Sequence, residues 1–138
     1  MGYNIAVLGA TGAVGHEMLT ILSERNFPVE NIYALASKNS AGKEVSFGDD
    51  VLKVQDVEKF DFEKANIALF SAGSEVSKKW APIAGEKGCI VIDNTSFFRM
   101  DSEVPLVIPE VNPEALEEYR NKNIIANPNC STIQLVVA

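Results

Sequence analysis

Cys130 stands in the run Asn127-Pro128-Asn129-Cys130-Ser131-Thr132, between an apolar strand-like segment and a helix-like one. Pro128 and the two asparagines break the strand, while Ser131 and Thr132 suit a helix start, so the thiol sits on a turn. There the backbone N–H groups and the positive end of the helix favour thiolate over thiol, which makes a nucleophile. Asn129 and neighbouring backbone N–H groups are candidate donors to a developing oxyanion. Cys89 is the internal control. It lies in Gly88-Cys89-Ile90-Val91-Ile92, an apolar strand pattern in which a cysteine serves as a small core hydrophobe.

A second set of residues suits a phosphate-bearing ligand. Gly9-Ala10-Thr11-Gly12-Ala13-Val14-Gly15 is spaced GxxGxxG, not the commoner GxGxxG, and glycine spacing alone is weak. Its placement strengthens it, because it follows the first strand directly and opens the first helix. Gly9 can make the tight turn, Gly12 can admit a pyrophosphate, and Gly15 can let helix pack on strand. The next strand ends Leu35-Ala36-Ser37-Lys38-Asn39-Ser40, without the carboxylate that grips a ribose 2′-hydroxyl in NAD-selective folds. The hydroxyls of Ser37 and Ser40 and the ammonium of Lys38 suit a 2′-phosphate, so NADP is expected over NAD. The same three residues also fit a solvated loop. Ser71, Ala72 and Gly73, after Phe70, are small enough to let a cofactor pass close, and equally fit a turn with Ser74 as helix cap. No metal site is expected.

These residues need a scaffold that brings turns to one edge. Residues 3–8 read as a short buried strand, and Val14, Met18, Ile21 and Leu22 follow at helix spacing. Phe27-Pro28 ends that helix and residues 32–36 give a second strand, completing a βαβ unit. Apolar runs at 67–70, 90–92, 106–108 and 124–126 supply further strands. Residues 75–87 and 113–122 look helical, the latter with Asn112 as cap and Pro113 in its first turn. Residues 38–50 form the most loop-like stretch. Strands alternating with helices predict an α/β fold, a doubly wound, Rossmann-like, mostly parallel sheet with helices on both faces.

The bulk numbers agree with one such domain: 138 residues, 46% hydrophobic, mean hydropathy +0.04. A net charge of −7 and a pI near 4.7 disfavour nucleic acid or an anionic membrane as partner, since both need a basic face. Two cysteines, no signal-like start and no apolar run near the ~18 residues of a membrane span point to a reducing, cytoplasmic setting. The final run, Ile133-Gln134-Leu135-Val136-Val137-Ala138, stays apolar to the end and reads as a chain cut inside an element.

Six segments in order resemble aspartate-semialdehyde dehydrogenase. They are Gly9 to Gly15, Ala36 to Gly42, Phe70-Ser71-Ala72-Gly73, Asp93-Asn94-Thr95-Ser96, Val107 to Asn112 and Asn127 to Thr132. The resemblance spans the whole chain and implies the N-terminal, NADP-binding portion, residues 1–127, with 128–138 opening a catalytic and dimerisation domain. It also implies a reaction in lysine, threonine, methionine and diaminopimelate synthesis. The Cys130 thiolate attacks β-aspartyl phosphate, phosphate leaves, and NADPH reduces the thioester to aspartate semialdehyde. Arg99 and Asn94 match the family positions around the substrate phosphate, and the whole enzyme is expected to be a homodimer or tetramer.

One part is missing from the pattern. The family draws a histidine acid/base from its second domain, whereas His16 is the only histidine here and reads as an exposed helix residue. This chain by itself is therefore expected to bind NADP weakly and not to turn over. N-acetyl-γ-glutamyl-phosphate reductase shares the chemistry, and Ser131-Thr132-Ile133-Gln134 favours the aspartyl enzyme. A non-catalytic NADP-binding module, or a plain α/β fragment, is the alternative from another class.

Overall fold

A computed structural model describes residues 2–137. β1 (Tyr3–Leu8) leads into α1 (Ala13–Glu24) and β2 (Val29–Ala36). A hairpin of β3 (Glu44–Phe47) and β4 (Asp50–Lys53) and the short β5 (Gln55–Asp56) follow. Two single 3-10 turns, each capped by an aspartate side chain, precede β6 (Ile67–Phe70) and α2 (Ser74–Glu86). β7 (Ile90–Asp93), a 3-10 segment (Pro113–Asn121), β8 (Ile124–Ala126) and α3 (Cys130–Val137) complete the chain.

β1 shows why the sheet is covered twice. Ile5 and Val7 point to one face and Ala6 and Leu8 to the other, and all four are at most 1% exposed. Ile5 and Val7 pack with Leu19 of α1, Ala34 and Val54, with the hairpin residues Val45, Phe47 and Leu52 against them. Ala6 and Leu8 pack with Ala81 and Ala84 of α2 and with an aromatic group of Phe60, Phe62 and Phe70. In that group the Phe60 and Phe62 rings meet edge-on at 5.1 Å and Trp80 lies 6.3 Å from Phe62.

The six-stranded sheet runs β5-β2-β1-β6-β7-β8 with every neighbouring pair parallel, so the predicted doubly wound fold is the one formed. Register places Leu35, Leu8, Phe70, Asp93 and Ala126 in one row across it. The turns after those residues therefore leave from a single edge. The strand order reverses between β1 and β6, the place where such sheets leave a ligand crevice.

Five sequence expectations change. Residues 106–108 make no strand, only one bridge from Leu106 to Ala126, because Pro105 and Pro109 flank the run and carry no N–H for a ladder. Residues 113–121 wind as a 3-10 segment with none buried, since the acidic run there offers too narrow an apolar stripe to seat an α-helix. Asn112 does not cap it with its side chain. That side chain accepts from Ile108 N at 2.8 Å and donates to Leu106 O at 2.8 Å. Ser74 is the first residue of α2, not its cap, and the cap position falls on Gly73 at φ +100°. Within the loop-like 38–50 stretch, Glu44 to Phe47 pairs antiparallel with β4 across Gly48-Asp49.

Candidate active site

The β1–α1 turn is built around two contacts that exclude side chains. Gly9 has φ +94°, and a Cβ there would lie 2.9 Å from the Ser71 backbone. A Cβ on Gly15 would run into the Gly9 carbonyl oxygen, which lets α1 sit tight on the turn. Gly12 differs. Its φ is −83° and a Cβ would meet only Gly9 O, at 3.4 Å, so nothing inside the protein demands a glycine there. The space it leaves opens onto a cavity of about 540 Å³. That is what a backbone needs when a bulky anion must approach the start of a helix.

The cavity brings together the β1, β2 and β6 turns. Gly9, Thr11, Gly12, Ser37, Lys38, Ser40, Ser71 and Ala72 line it. Ser37 to Ala41 form a tight turn, with Ser40 N–H and Ala41 N–H both donating to Ser37 O. Ser71 donates its hydroxyl to Leu8 O at 3.3 Å, which locks the β6 turn to the glycine turn. The other glycine-segment residues and Gly73 do not reach the cavity. Ala10 is buried in the α1-side core, Gly15 is covered by the turn, and Ala13 and Val14 are exposed on the first turn of α1. His16 is exposed on α1, as its sequence position predicts.

A far wall went unread in the sequence. Asp56 enters from β5, Val57 and Glu58 from the 3-10 turn after it, and Glu75, Val76, Lys79 and Trp80 from α2. Asp56 Oδ1 accepts from Glu58 N at 3.0 Å, and Glu58 reaches Lys79 at 3.5 Å. This pair is solvent-exposed and contributes little to stability. The readable signal was the Asp-Val-Glu step, a carboxylate capping a 3-10 turn just after a short strand.

Further along the edge, polar groups hold the β7 and β8 turns together. Arg99 donates Nε–H to Asn127 O at 3.0 Å and Nη2–H to Asn94 O at 3.2 Å. Asn127 Nδ2 donates to Asn94 Oδ1 at 2.7 Å, and Asn127 N to Asp93 O at 2.8 Å. A guanidinium has five N–H donors, so two carbonyls leave part of the fork unused. Arg99 is therefore placed against the segment that carries Cys130, three residues before it. Cys130 itself is exposed at the start of α3. Asn129 accepts from Ser131 N at 2.8 Å through its carbonyl oxygen, in the manner of a helix cap, which leaves its amide N–H groups as donors. Cys89 is the opposite case: fully buried, with its pKa pushed up to about 12 by burial.

Among the described residues no helix is long and apolar enough to cross a membrane, and no group of three or more His, Cys, Asp or Glu side chains is arranged to hold a metal.

The chain is similar to known proteins over almost all of its length. Aspartate-semialdehyde dehydrogenase of Shewanella violacea is 62% identical over 136 residues, which is 99% of this chain and 40% of the relative. A crystal structure of aspartate semialdehyde dehydrogenase II from Vibrio cholerae, complexed with ASA, superposes with TM-score 0.97 at 60% identity. It covers 99% of this chain and 45% of that one. The Candida albicans enzyme with NADP superposes with TM-score 0.80 at 27% identity, covering 99% of this chain and 45% of that one. The chain thus spans less than half the length of these relatives. The family model for semialdehyde dehydrogenase, NAD binding domain, matches residues 4–119, and the chain belongs to that family.

Proposed function

We propose that the chain is the dinucleotide-binding part, with the nucleophile, of an NADP-dependent aspartate-semialdehyde dehydrogenase acting on β-aspartyl phosphate. The observation that carries this reading is the Arg99 fork, tied to Asn94 and Asn127 beside Cys130 on the same sheet edge as the glycine-lined cavity. Residues 1–127 make the cofactor domain and 128–138 open the catalytic and dimerisation domain.

Gly9, Gly12, Ser71 and Ala72 suit the pyrophosphate side of the dinucleotide, and Ser37, Lys38 and Ser40 its 2′-phosphate. When bound there, the nicotinamide would supply the hydride. Cys130 forms a bond to the acyl carbon as the acyl–phosphate bond breaks; the electron pair leaves with phosphate, and a thioester stays on the sulfur. Arg99 holds the departing phosphate with its unused N–H groups, and Asn129 donates to the oxyanion between them. No residue of this chain supplies the acid/base function, so turnover needs the remaining length that the relatives possess. In the cell the reading implies a cytoplasmic homodimer or tetramer.

The test uses the protein carrying this chain together with that remaining length. Phosphate-dependent reduction of NADP by aspartate semialdehyde should be present and abolished by Cys130→Ser. Mass spectrometry should find an acyl group on Cys130 after β-aspartyl phosphate is added alone. Activity that survives Cys130→Ser sinks the reading. The 138-residue chain alone should bind NADP weakly and show no steady-state activity.

A further inference from the structure

In the row Leu35, Leu8, Phe70, Asp93, Ala126, four residues are apolar and the fifth is a carboxylate, and Asp93 is as fully buried as its neighbours. A buried carboxylate is costly unless its oxygens are satisfied, and here both are. Asp93 Oδ1 accepts from Ser77 Oγ at 2.8 Å and from Thr95 N at 3.0 Å, and Oδ2 accepts from Thr95 Oγ1 at 2.9 Å. Its backbone oxygen accepts from Asn127 N at 2.8 Å. An apolar side chain would suit the core at this place and could make none of the three bonds to the carboxylate; the bond from Asn127 uses the backbone alone.

The partners lie in three functional neighbourhoods. Ser77 belongs to α2, whose Glu75, Val76, Lys79 and Trp80 wall the dinucleotide cavity. Thr95 begins the turn that carries Arg99, and Asn127 begins the run to Cys130. A second link, Ser74 Oγ to Ser96 Oγ at 3.0 Å, joins the same helix to the same turn at the surface. We propose that Asp93 is a positioning residue: it fastens the 94–99 turn to α2, and so fixes where Arg99 and the Asn127–Cys130 segment sit. For phosphate binding this rests on the reading of Arg99 given above; for the placement of Cys130 it does not.

The test uses the 138-residue chain, with inorganic phosphate as probe. Cys130 is alkylated by iodoacetamide with and without phosphate, and NADP binding is followed separately by thermal shift. Thr95→Val removes one donor and keeps the shape, Thr95→Ser keeps the hydroxyl, and Asp93→Asn keeps the shape without the charge. Thr95→Val and Asp93→Asn should weaken phosphate protection about tenfold, change the unprotected alkylation rate at least threefold and leave the NADP midpoint within twofold. Thr95→Ser should restore wild-type behaviour. The proposal is overturned if folded Thr95→Val matches wild type in protection and alkylation. It is equally overturned if phosphate and NADP binding fall together and Thr95→Ser does no better than Thr95→Val. Arg99→Ala separates the two claims. Should it leave phosphate protection intact, the phosphate reading of Arg99 fails, and the unprotected alkylation rate of Thr95→Val alone decides for or against Asp93.

Discussion

At the β1 and β6 end of the sheet edge, the cavity rests on close-packed apolar groups. Leu8, Leu35, Phe62 and Phe70 are at most 1% exposed, and Gly9 and Gly15 press the turn onto α1 and β6. At the β7 and β8 end, Asp93, Asn94, Thr95, Arg99 and Asn127 hold one another by hydrogen bonds, and α3 beyond them has no buried residue. Packing fixes volume and is tolerant of chemistry; a polar network fixes direction and tolerates almost no change of donor. The first suits a large ligand held by its shape, the second a few atoms aimed at one reacting centre.

The largest expected effect probes the packed end. Phe62→Ala should cost about 3–5 kcal/mol in denaturant unfolding, because it empties the centre of the aromatic group. A loss below about 1 kcal/mol would break the contrast. Next come the two thiols. At pH 8 iodoacetamide should modify Cys130 on the order of a hundred times faster than Cys89, since Cys89 is buried and held as thiol. Equal rates would mean that the core opens as readily as the edge. The same raised pKa makes a stability statement: the Cys89 contribution is full below about pH 8.5, the ordinary thiol value. It is lost as pH rises towards about 12, because only the unfolded chain releases the proton easily. Alkaline melts should show this decline, and Cys89→Ala should flatten it.

Smaller effects sharpen the comparison within each end. Lys38→Ala should weaken NADP about tenfold, near 1.4 kcal/mol, with NAD changed less than twofold; equal losses for both would remove the 2′-phosphate from its neighbourhood. The smallest is Leu135→Ser. Leu135 is 79% exposed, so unfolding of this chain should shift by less than about 0.5 kcal/mol.

What the sequence disclosed follows the same division. Strands buried on both faces announce themselves as apolar runs, and β1, β6, β7 and β8 were legible for that reason. Glycines and small residues at strand ends were legible because a turn after a strand must face the edge. The β3–β4 hairpin was not, although Val45 and Phe47 alternate with polar residues before Gly48-Asp49, because its four-residue strands hide in a polar stretch. Asp56, Glu58, Lys79 and Trp80 reach the cavity from a two-residue strand, the 3-10 turn after it and along a helix, and no local pattern marks which helix residues look into a cavity. Asp93 was visible as part of a motif, yet its role depends on Ser77, sixteen positions earlier.

The strand order carries a consequence for how the chain is made. β1 lies at the centre, and its two neighbours arrive at different times. Asn4 meets Asn31 across 27 residues and Asn66 across 62. On a ribosome adding ~5–20 residues per second, the stretch from the end of β2 to the end of β6 takes roughly 2–7 s. Throughout that interval a strand destined for the deepest place in the sheet has one bare edge, open to pairing with any other nascent strand. The apolar run that makes β1 so easy to find is therefore also the segment most in need of shelter during synthesis.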